Sequence, residues 1–335
     1  MSLKGQDFID LRHLTASDLD NLIALAAKIK AGDIDVSDAL SGKTFGLLFS
    51  IASTRTRLSF QVAVRQMGGH AEYLNADQLQ LVNHESLTDT GQVMSRFLDG
   101  IIVRMYNMKN YGEGRSALQT LADNASIPVL NALDDKDHPC QVIADLLTMR
   151  EKFGPGFKKK KLVFSWGYTE RQKSLGVPHS MMVAGSLLGM NMVFAYPEGF
   201  DLDEEYIRFT QKMAAESKAS ISFTNDLMEA TEGADVIYVK SWKAINMSVE
   251  DDLAARRRVQ DDWRISNKHF ERANKDAIYM DCLPVIRGEQ TLAEVVDGPR
   301  SVIYDEAENR LHAQKAILHS IYAPVPVHQP SLTNY

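Results

Sequence analysis

The sequence predicts an α/β protein of two domains, each a central parallel sheet flanked by helices. Three observations predict it. At 335 residues the chain is too long for one ordinary core and long enough for two. Short β-rich apolar runs alternate with stretches of helical period, the mark of strands joined by crossover helices. The pattern occurs twice, with a break at Phe153-Gly154-Pro155-Gly156.

In the first half, strands are expected over 43–50, 71–75, 100–106 and 128–132. Helical patterns lie between them, as at 56–67, closed by Gly68-Gly69, and at 87–98; a glycine just past a periodic run is a common helix stop. In the second half, strands are expected over 161–166, 192–196, 220–224, 235–239, 277–283 and 301–304, with helices over 204–217 and 267–275. The basic run Lys158 to Lys161 beside the break reads as a solvated linker rather than a phosphate trap. The expected division is 1–150, 151–307, a C-terminal helix over 308–322 that packs back on the first domain, and a tail over 323–335. That tail, with Pro324, Pro326 and Pro330, is expected to fray.

Composition removes several function classes. A net charge of -7 argues against a nucleic-acid partner, because neutralising phosphates needs a basic face. No apolar run approaches the ~18 to 20 residues of a membrane span. Cys140 and Cys282, far apart and without a His/Cys cluster, support neither a disulfide framework nor a zinc site. The start, Met1-Ser2-Leu3-Lys4, has no apolar signal core, so a reducing, cytoplasmic setting is expected. No G-x-G-x-x-G or Walker sequence follows any expected strand, which argues against a nucleotide site.

The strongest local signal is Ser53-Thr54-Arg55-Thr56-Arg57, between a strand and a helix. A first helical turn has free N–H groups and a partial positive charge. Hydroxyls at Ser53, Thr54 and Thr56 and the planar fork of Arg55 add what a phosphate needs. Alone, the run would more often be an N-cap followed by exposed arginines. It is accompanied by Arg104 at the end of an apolar strand, where open α/β sheets bind ligands. His138-Pro139-Cys140-Gln141 opens another helix, with imidazole and amide three residues apart on one side of its first turn. Asp281-Cys282-Leu283-Pro284 and Glu308-Asn309-Arg310-Leu311-His312 complete the set.

In this order the motifs resemble the aspartate/ornithine carbamoyltransferase family, from about Asp10 to Tyr322. The stretches Asp297-Gly298-Pro299-Arg300 and Asp305 through Ala316 are especially similar to the ornithine-specific members. The resemblance implies that Ser53, Thr54, Arg55 and Thr56 hold the phosphate of carbamoyl phosphate. It implies that Arg104, His138 and Thr56 contact its carbonyl oxygen, that Gln141 and the Leu283 carbonyl engage its amide, and that Arg310 closes on the same ligand. Arg55, Arg104, His138, Gln141 and Arg310 then form the catalytic set, with no metal and no cofactor. Gln80 matches a glutamine lent to a neighbouring subunit, which implies a homotrimer with sites at subunit interfaces. A neutral amine attacks the carbamoyl carbon, and fixed donors stabilise the charge that develops on oxygen. Cys282 is read as lining the amine site rather than as a nucleophile.

The acceptor side departs from the ornithine pattern. Where the family places Asp to pair with an α-ammonium, this chain has Val239-Lys240-Ser241-Trp242. A like charge there is costly in a poorly solvated site. Lys-Ser-Trp and the loop from Trp166 to Ser180 resemble the branch acting on N-acetyl- or N-succinylornithine, whose chains carry a trefoil knot, so a knot is expected in the second domain. His179 stands where the family has an Asn that contacts the amino acid. Asp281 either supplies an anion for an ammonium or balances Lys240. The stretch 250–262 reads as an exposed helix with i, i+4 ion pairs. His179, Lys240, Ser241, Asp281 and Cys282 are therefore the expected amine-site residues. The leading reading is transfer to L-ornithine, giving citrulline. The alternatives are an N-acylornithine, a diamine or another diamino acid, and, from a different class, a non-catalytic paralogue that binds carbamoyl phosphate.

Overall fold

The computed structural model describes residues 3–322, and the tail expected to fray lies outside them. The first half runs α1 (Ala16–Ala31), β1 (Thr44–Phe49), α2 (Thr54–Gln66), β2 (His70–Asn75), α3 (Leu87–Phe97), β3 (Gly100–Arg104), α4 (Glu113–Asn124), β4 (Val129–Leu133) and α5 (Pro139–Phe153). Its four strands form one parallel sheet in the order β2-β1-β3-β4. Helices cover both faces, so β1 and β4 are near-continuous apolar runs rather than alternating ones.

The second half runs β5 (Lys161–Trp166), α6 (Gly176–Leu188), β6 (Asn191–Ala195), α7 (Glu204–Ser217), β7 (Ser220–Thr224), α8 (Leu227–Ala230), β8 (Val236–Lys240), α9 (Val249–Arg258), α10 (Asn267–Arg272), β9 (Ile278–Met280), α11 (Ala293–Val296) and α12 (Ile303–Tyr322). Its sheet is parallel in the order β7-β6-β5-β8-β9. Among the described residues, no helix is long and apolar enough to cross a membrane.

Strand order fixes where a ligand can sit. In the first sheet β1 pairs with β2 on one side and β3 on the other, so the direction in which successive strands are added reverses between β1 and β3. In the second the reversal lies between β5 and β8. Loops leaving such neighbours part in opposite directions and leave a crevice at the carboxyl ends of the strands. Phe49 pairs with Arg104 across the first switch point, and Trp166 with Lys240 across the second. The loops after β5 and β8, on which the knot expectation rests, pack together: Lys243 N donates to Lys173 O at 3.0 Å, and Trp166 Nε1 to Trp242 O at 2.9 Å.

Three expectations change. The strand expected over 277–283 stops at Met280, because Asp281 to Pro284 turns away and Leu283 takes φ 57°. The strand expected over 301–304 is a single bridge between Tyr279 and Ser301, after which α12 begins five residues earlier than the sequence suggests. Asp305 and Glu306 sit in its first turn, where the helix dipole favours acidic residues. The 250–262 stretch is not simply an exposed helix. Arg256 and Asp252 of α9 are fully buried and paired at 2.7 Å, while Arg257 faces solvent.

Candidate functional site

A cavity of about 450 Å³ opens at the meeting of the two switch points. The first sheet contributes Ser53, Thr54, Arg55 and Thr56 after β1, Arg104 and Tyr106 after β3, and His138 and Gln141 at the start of α5. The second contributes the Arg171 to Ser174 loop, Lys240, Cys282 and Leu283, and α12 adds Arg310. A more open depression of about 860 Å³ lies elsewhere, along Asp10, Arg12, Arg115, Lys136 and Glu205. Its charges already satisfy one another: Arg12 pairs with Asp10 and Glu205, Arg115 with Asp10, and Lys136 with Glu205.

Each wall has a local cause. Ser53 caps α2, its Oγ accepting the Thr56 N–H at 3.2 Å, so the remaining N–H groups of that turn face the opening. Arg57, next along the helix, points away and stacks over the Tyr73 ring at 3.7 Å. His138 caps α5 with Pro139 at the first helical position, and its backbone N–H reaches Ser180 Oγ at 2.9 Å. The preceding turn is stapled by Asp134, which accepts the Asp137 and Lys136 N–H groups at 2.6 and 2.7 Å, and by Arg115, which reaches both Asp134 and Asp137.

Electrostatically the cavity is an anion trap. Arg55, Arg104, Arg171, Lys173, Lys240 and Arg310 line it, and among the described residues no carboxylate does. Burial, with Arg310, Arg104 and Lys240 close by, drives the His138 pKa well below its ordinary value, so the imidazole is neutral. Three buried atoms of the lining residues have no hydrogen-bond partner among the described residues: Arg104 Nε, His138 Nδ1 and Arg310 Nε. Unpartnered buried donors are costly and mark a place built for a ligand. Arg310 is otherwise held by Thr56 Oγ1, at 3.2 Å, and by Gln141 Oε1.

The structure brings together Ser53, Thr54, Arg55, Thr56, Arg104, His138, Gln141, Leu283, Arg310, Lys240 and Cys282. Four expected residues lie outside the cavity. His179 is buried in α6, where Nδ1 donates to Lys136 O at 3.0 Å and Nε2 accepts the Asp203 N–H at 3.1 Å. Its ring stacks on Tyr206, and burial pushes its pKa down to about 4, so it is a neutral structural residue. Ser241 turns inward, its Oγ accepting from Arg256 at 3.2 Å. Asp281 is spent on the backbone behind the cavity, accepting the Leu283 N–H at 2.6 Å and Gln290 Nε2 at 2.7 Å, and so it shapes the turn that presents Leu283. Gln80 stands on an exposed turn, bonded to Asn83 at 2.9 Å.

Lys240 lines the cavity with its Nζ on the Ser241 carbonyl at 2.9 Å and no ion pair among the described residues. Burial lowers its pKa to about 8, against the opposing pull of Cys282. The Cys282 thiol is itself pushed up to about 12 by burial, which leaves it a poor nucleophile at neutral pH. Sequence reasoning missed Tyr106 and the Arg171-Gln172-Lys173-Ser174 loop. The loop had a signal: four consecutive polar residues in the connection that follows β5, at the sheet edge where ligands bind.

Comparison with known proteins gives a consistent picture. Residues 6–151 match the family described as aspartate/ornithine carbamoyltransferase, carbamoyl-P binding domain. Residues 166–321 match its Asp/Orn binding domain. An ornithine carbamoyltransferase of Symbiobacterium thermophilum is 42% identical over 96% of this chain and 99% of its own length. One from Pyrococcus abyssi is 40% identical over 95% and 96%. Among solved structures, ornithine carbamoyltransferase from Pyrococcus furiosus superposes with a TM-score of 0.85 at 38% identity, covering 96% of this chain and 98% of that one. An acetylornithine transcarbamylase complexed with acetylcitrulline reaches 0.88 at 30% identity, covering 95% and 100%.

Proposed function

Since the chain belongs to the aspartate/ornithine carbamoyltransferase family, we propose that it carries the carbamoyl group of carbamoyl phosphate to the side-chain amine of L-ornithine, releasing citrulline and phosphate. Carbamoyl transfer is the activity of the family. Ornithine as acceptor is supported by relatives of that name near 40% identity over almost the whole chain. The observation that carries the reading is the cluster of Arg55, Arg104, His138, Gln141 and Arg310 around one cavity.

On this reading the N-terminus of α2, with Ser53, Thr54, Arg55 and Thr56, holds the phosphate. Arg104 and neutral His138 donate to the carbamoyl oxygen, as does the Thr56 hydroxyl. The Leu283 carbonyl and Gln141 engage the amide. The amine nitrogen bonds to the carbamoyl carbon and pushes negative charge onto its carbonyl oxygen; the bond from that carbon to the phosphate oxygen then breaks, and phosphate leaves with the electron pair and takes up the proton that the amine sheds. The donors stabilise charge on the carbonyl oxygen, and each such donor is worth about 10² to 10³ in rate. Holding the two reactants in line supplies much of the remainder. The enzyme works as a homotrimer in which the partner subunit supplies a glutamine equivalent to Gln80. It resides in the cytoplasm, a setting supported by the two free thiols, Cys140 and Cys282.

A second reading is favoured by Lys240. A zwitterionic amino acid needs an anion for its α-ammonium, and none lines the cavity. An acceptor with a blocked or absent α-amine, such as an N-acylornithine, fits that lining better. Phosphate release measured with carbamoyl phosphate and ornithine, N-acetylornithine, N-succinylornithine and simple diamines separates the readings. Turnover with none of them overturns the proposal in favour of a carbamoyl-phosphate-binding paralogue. Lys240→Asp should move preference by about tenfold or more toward amines with a free α-ammonium; an unaltered ranking removes Lys240 from acceptor choice.

A further inference from the structure

Behind the cavity, α5 and α12 cross and bring two carboxyl groups together. Asp145 lies one turn beyond Gln141 on α5, and Glu306 one turn before Arg310 on α12. Both are fully buried, and both reach the same side-chain amide, that of Gln141. Asp145 Oδ1 accepts Gln141 Nε2 at 2.8 Å, and its Oδ2 accepts the Tyr238 hydroxyl at 3.0 Å. Glu306 Oε1 lies 3.4 Å from Gln141 Nε2, and its Oε2 accepts the Asp281 N–H at 3.0 Å. None of these partners is a cation.

Two carboxylates buried against one amide nitrogen cannot both be ionised in such a place; one must carry a hydrogen. Arg310 is the nearby positive charge, and it balances one negative charge, not two. We propose that Asp145 and Glu306 share a single proton and act as positioning residues for the transfer reaction. Their acceptor oxygens take both hydrogens of the Gln141 amide, which turns Gln141 Oε1 toward Arg310 and sets the guanidinium against Thr56. Through the Asp281 N–H, Glu306 also anchors the turn that carries Cys282 and Leu283. One proton thereby holds both walls of the cavity.

Burial raises the affinity of both carboxyls for that proton. The charged and titratable groups facing the pair are Arg310 from α12, Tyr238 from β8, Tyr279 from β9, and Asp281 and Cys282 from the turn after β9. As pH rises the pair loses its proton, two buried like charges face each other, and Gln141 and Leu283 are released. Activity should therefore fall on the alkaline side with loss of this proton.

The kinetic test rests on carbamoyl transfer; a spectroscopic one does not. Glu306→Gln has an N–H that no alkaline pH removes and an oxygen for the Asp281 N–H. Its kcat/KM for carbamoyl phosphate, measured at a fixed concentration of neutral amine, should hold at least one pH unit further into the alkaline range than the parent's. It should exceed that of Glu306→Ala by about 10- to 100-fold. Superimposable alkaline limbs for parent and Glu306→Gln would overturn the proposal. Infrared spectra of the unaltered protein at neutral pH should contain a buried protonated-carboxyl band that disappears in Glu306→Gln; a parent without that band overturns the shared proton. If no amine is carbamoylated, the functional reading fails while the infrared result still decides the proton.

Discussion

Arg55 shows how much one side chain can be asked to do. It is half-buried at the mouth of the cavity, opposite the orphaned nitrogens of Arg104, His138 and Arg310. Charge-assisted bonds to phosphate are the strong ones, so Arg55→Ala should weaken carbamoyl phosphate binding by about 10- to 100-fold. Calorimetry checks this, and unchanged affinity removes Arg55 from the phosphate site. Lys240 makes the opposite case, a charge that the fold tolerates at a cost. Its pKa falls from 10.5 to about 8 on burial. Between those values the unfolded chain binds the proton and the folded one does not, so stability rises with pH there. Below about pH 8 the full penalty applies, on the order of 3 kcal/mol before its bond to Ser241 is credited. Lys240→Met should therefore raise stability by roughly 1 to 3 kcal/mol at pH 7. The gain should fade between pH 8 and 10.5, as followed by urea unfolding. A gain independent of pH would mean that packing, not charge, is responsible.

At the scale of elements, α9 repays attention because its charges look interchangeable in the sequence and are not. Arg256 is buried against Asp252 and also reaches Thr169 O at 2.7 Å. Asp252 in turn holds the Ala244 N–H at 2.7 Å and Gln172 at 2.8 Å, a residue of the cavity wall. Arg257, one residue on, pairs with Glu170 in solvent. Removing one partner of a buried pair strands the other charge, so Asp252→Ala should cost about 3 to 5 kcal/mol. Loss of the Gln172 anchor should also raise the KM for the amine more than that for carbamoyl phosphate. Arg257→Ala should leave stability almost unchanged, as loss of an exposed pair does. Equal losses from the two variants in denaturant titrations would refute the distinction.

For the whole molecule, the exposed apolar side chains are not scattered. Among the described residues Leu58 and Val62 of α2, Val82, and Val93 and Phe97 of α3 lie on the first half, with Phe97 77% exposed, and Tyr304 is the one large exposed ring on the second. Exposed apolar residues concentrated in this way fit a surface covered by other copies of the chain. Phe97→Glu should reduce the mass measured by light scattering from that of the proposed trimer toward 37.5 kDa. Because the proposed site draws a glutamine from a neighbour, activity should fall with it. A variant of unchanged mass would place the contact elsewhere.

Legible in the sequence were the order of elements and the residues that the first half brings to the cavity. Burial on both faces leaves the unbroken apolar runs that located β1 and β5, while β7, an edge strand, was located by its alternation and several helices by their helical period. Ser53 to Thr56, Arg104 and His138 were legible because each sits at a strand end or helix start, where local geometry alone aims a side chain at the sheet edge. Tertiary structure decided the remainder. His179, Ser241 and Asp281 carried the right chemistry in the right stretches, yet the fold uses their polar atoms to satisfy backbone groups and a buried arginine. Asp145 and Glu306 gave no signal, since a carboxyl 161 residues from its partner in sequence becomes part of a site only when two helices cross. Burial and proximity set charge state, and neither is a property of a residue's place along the chain.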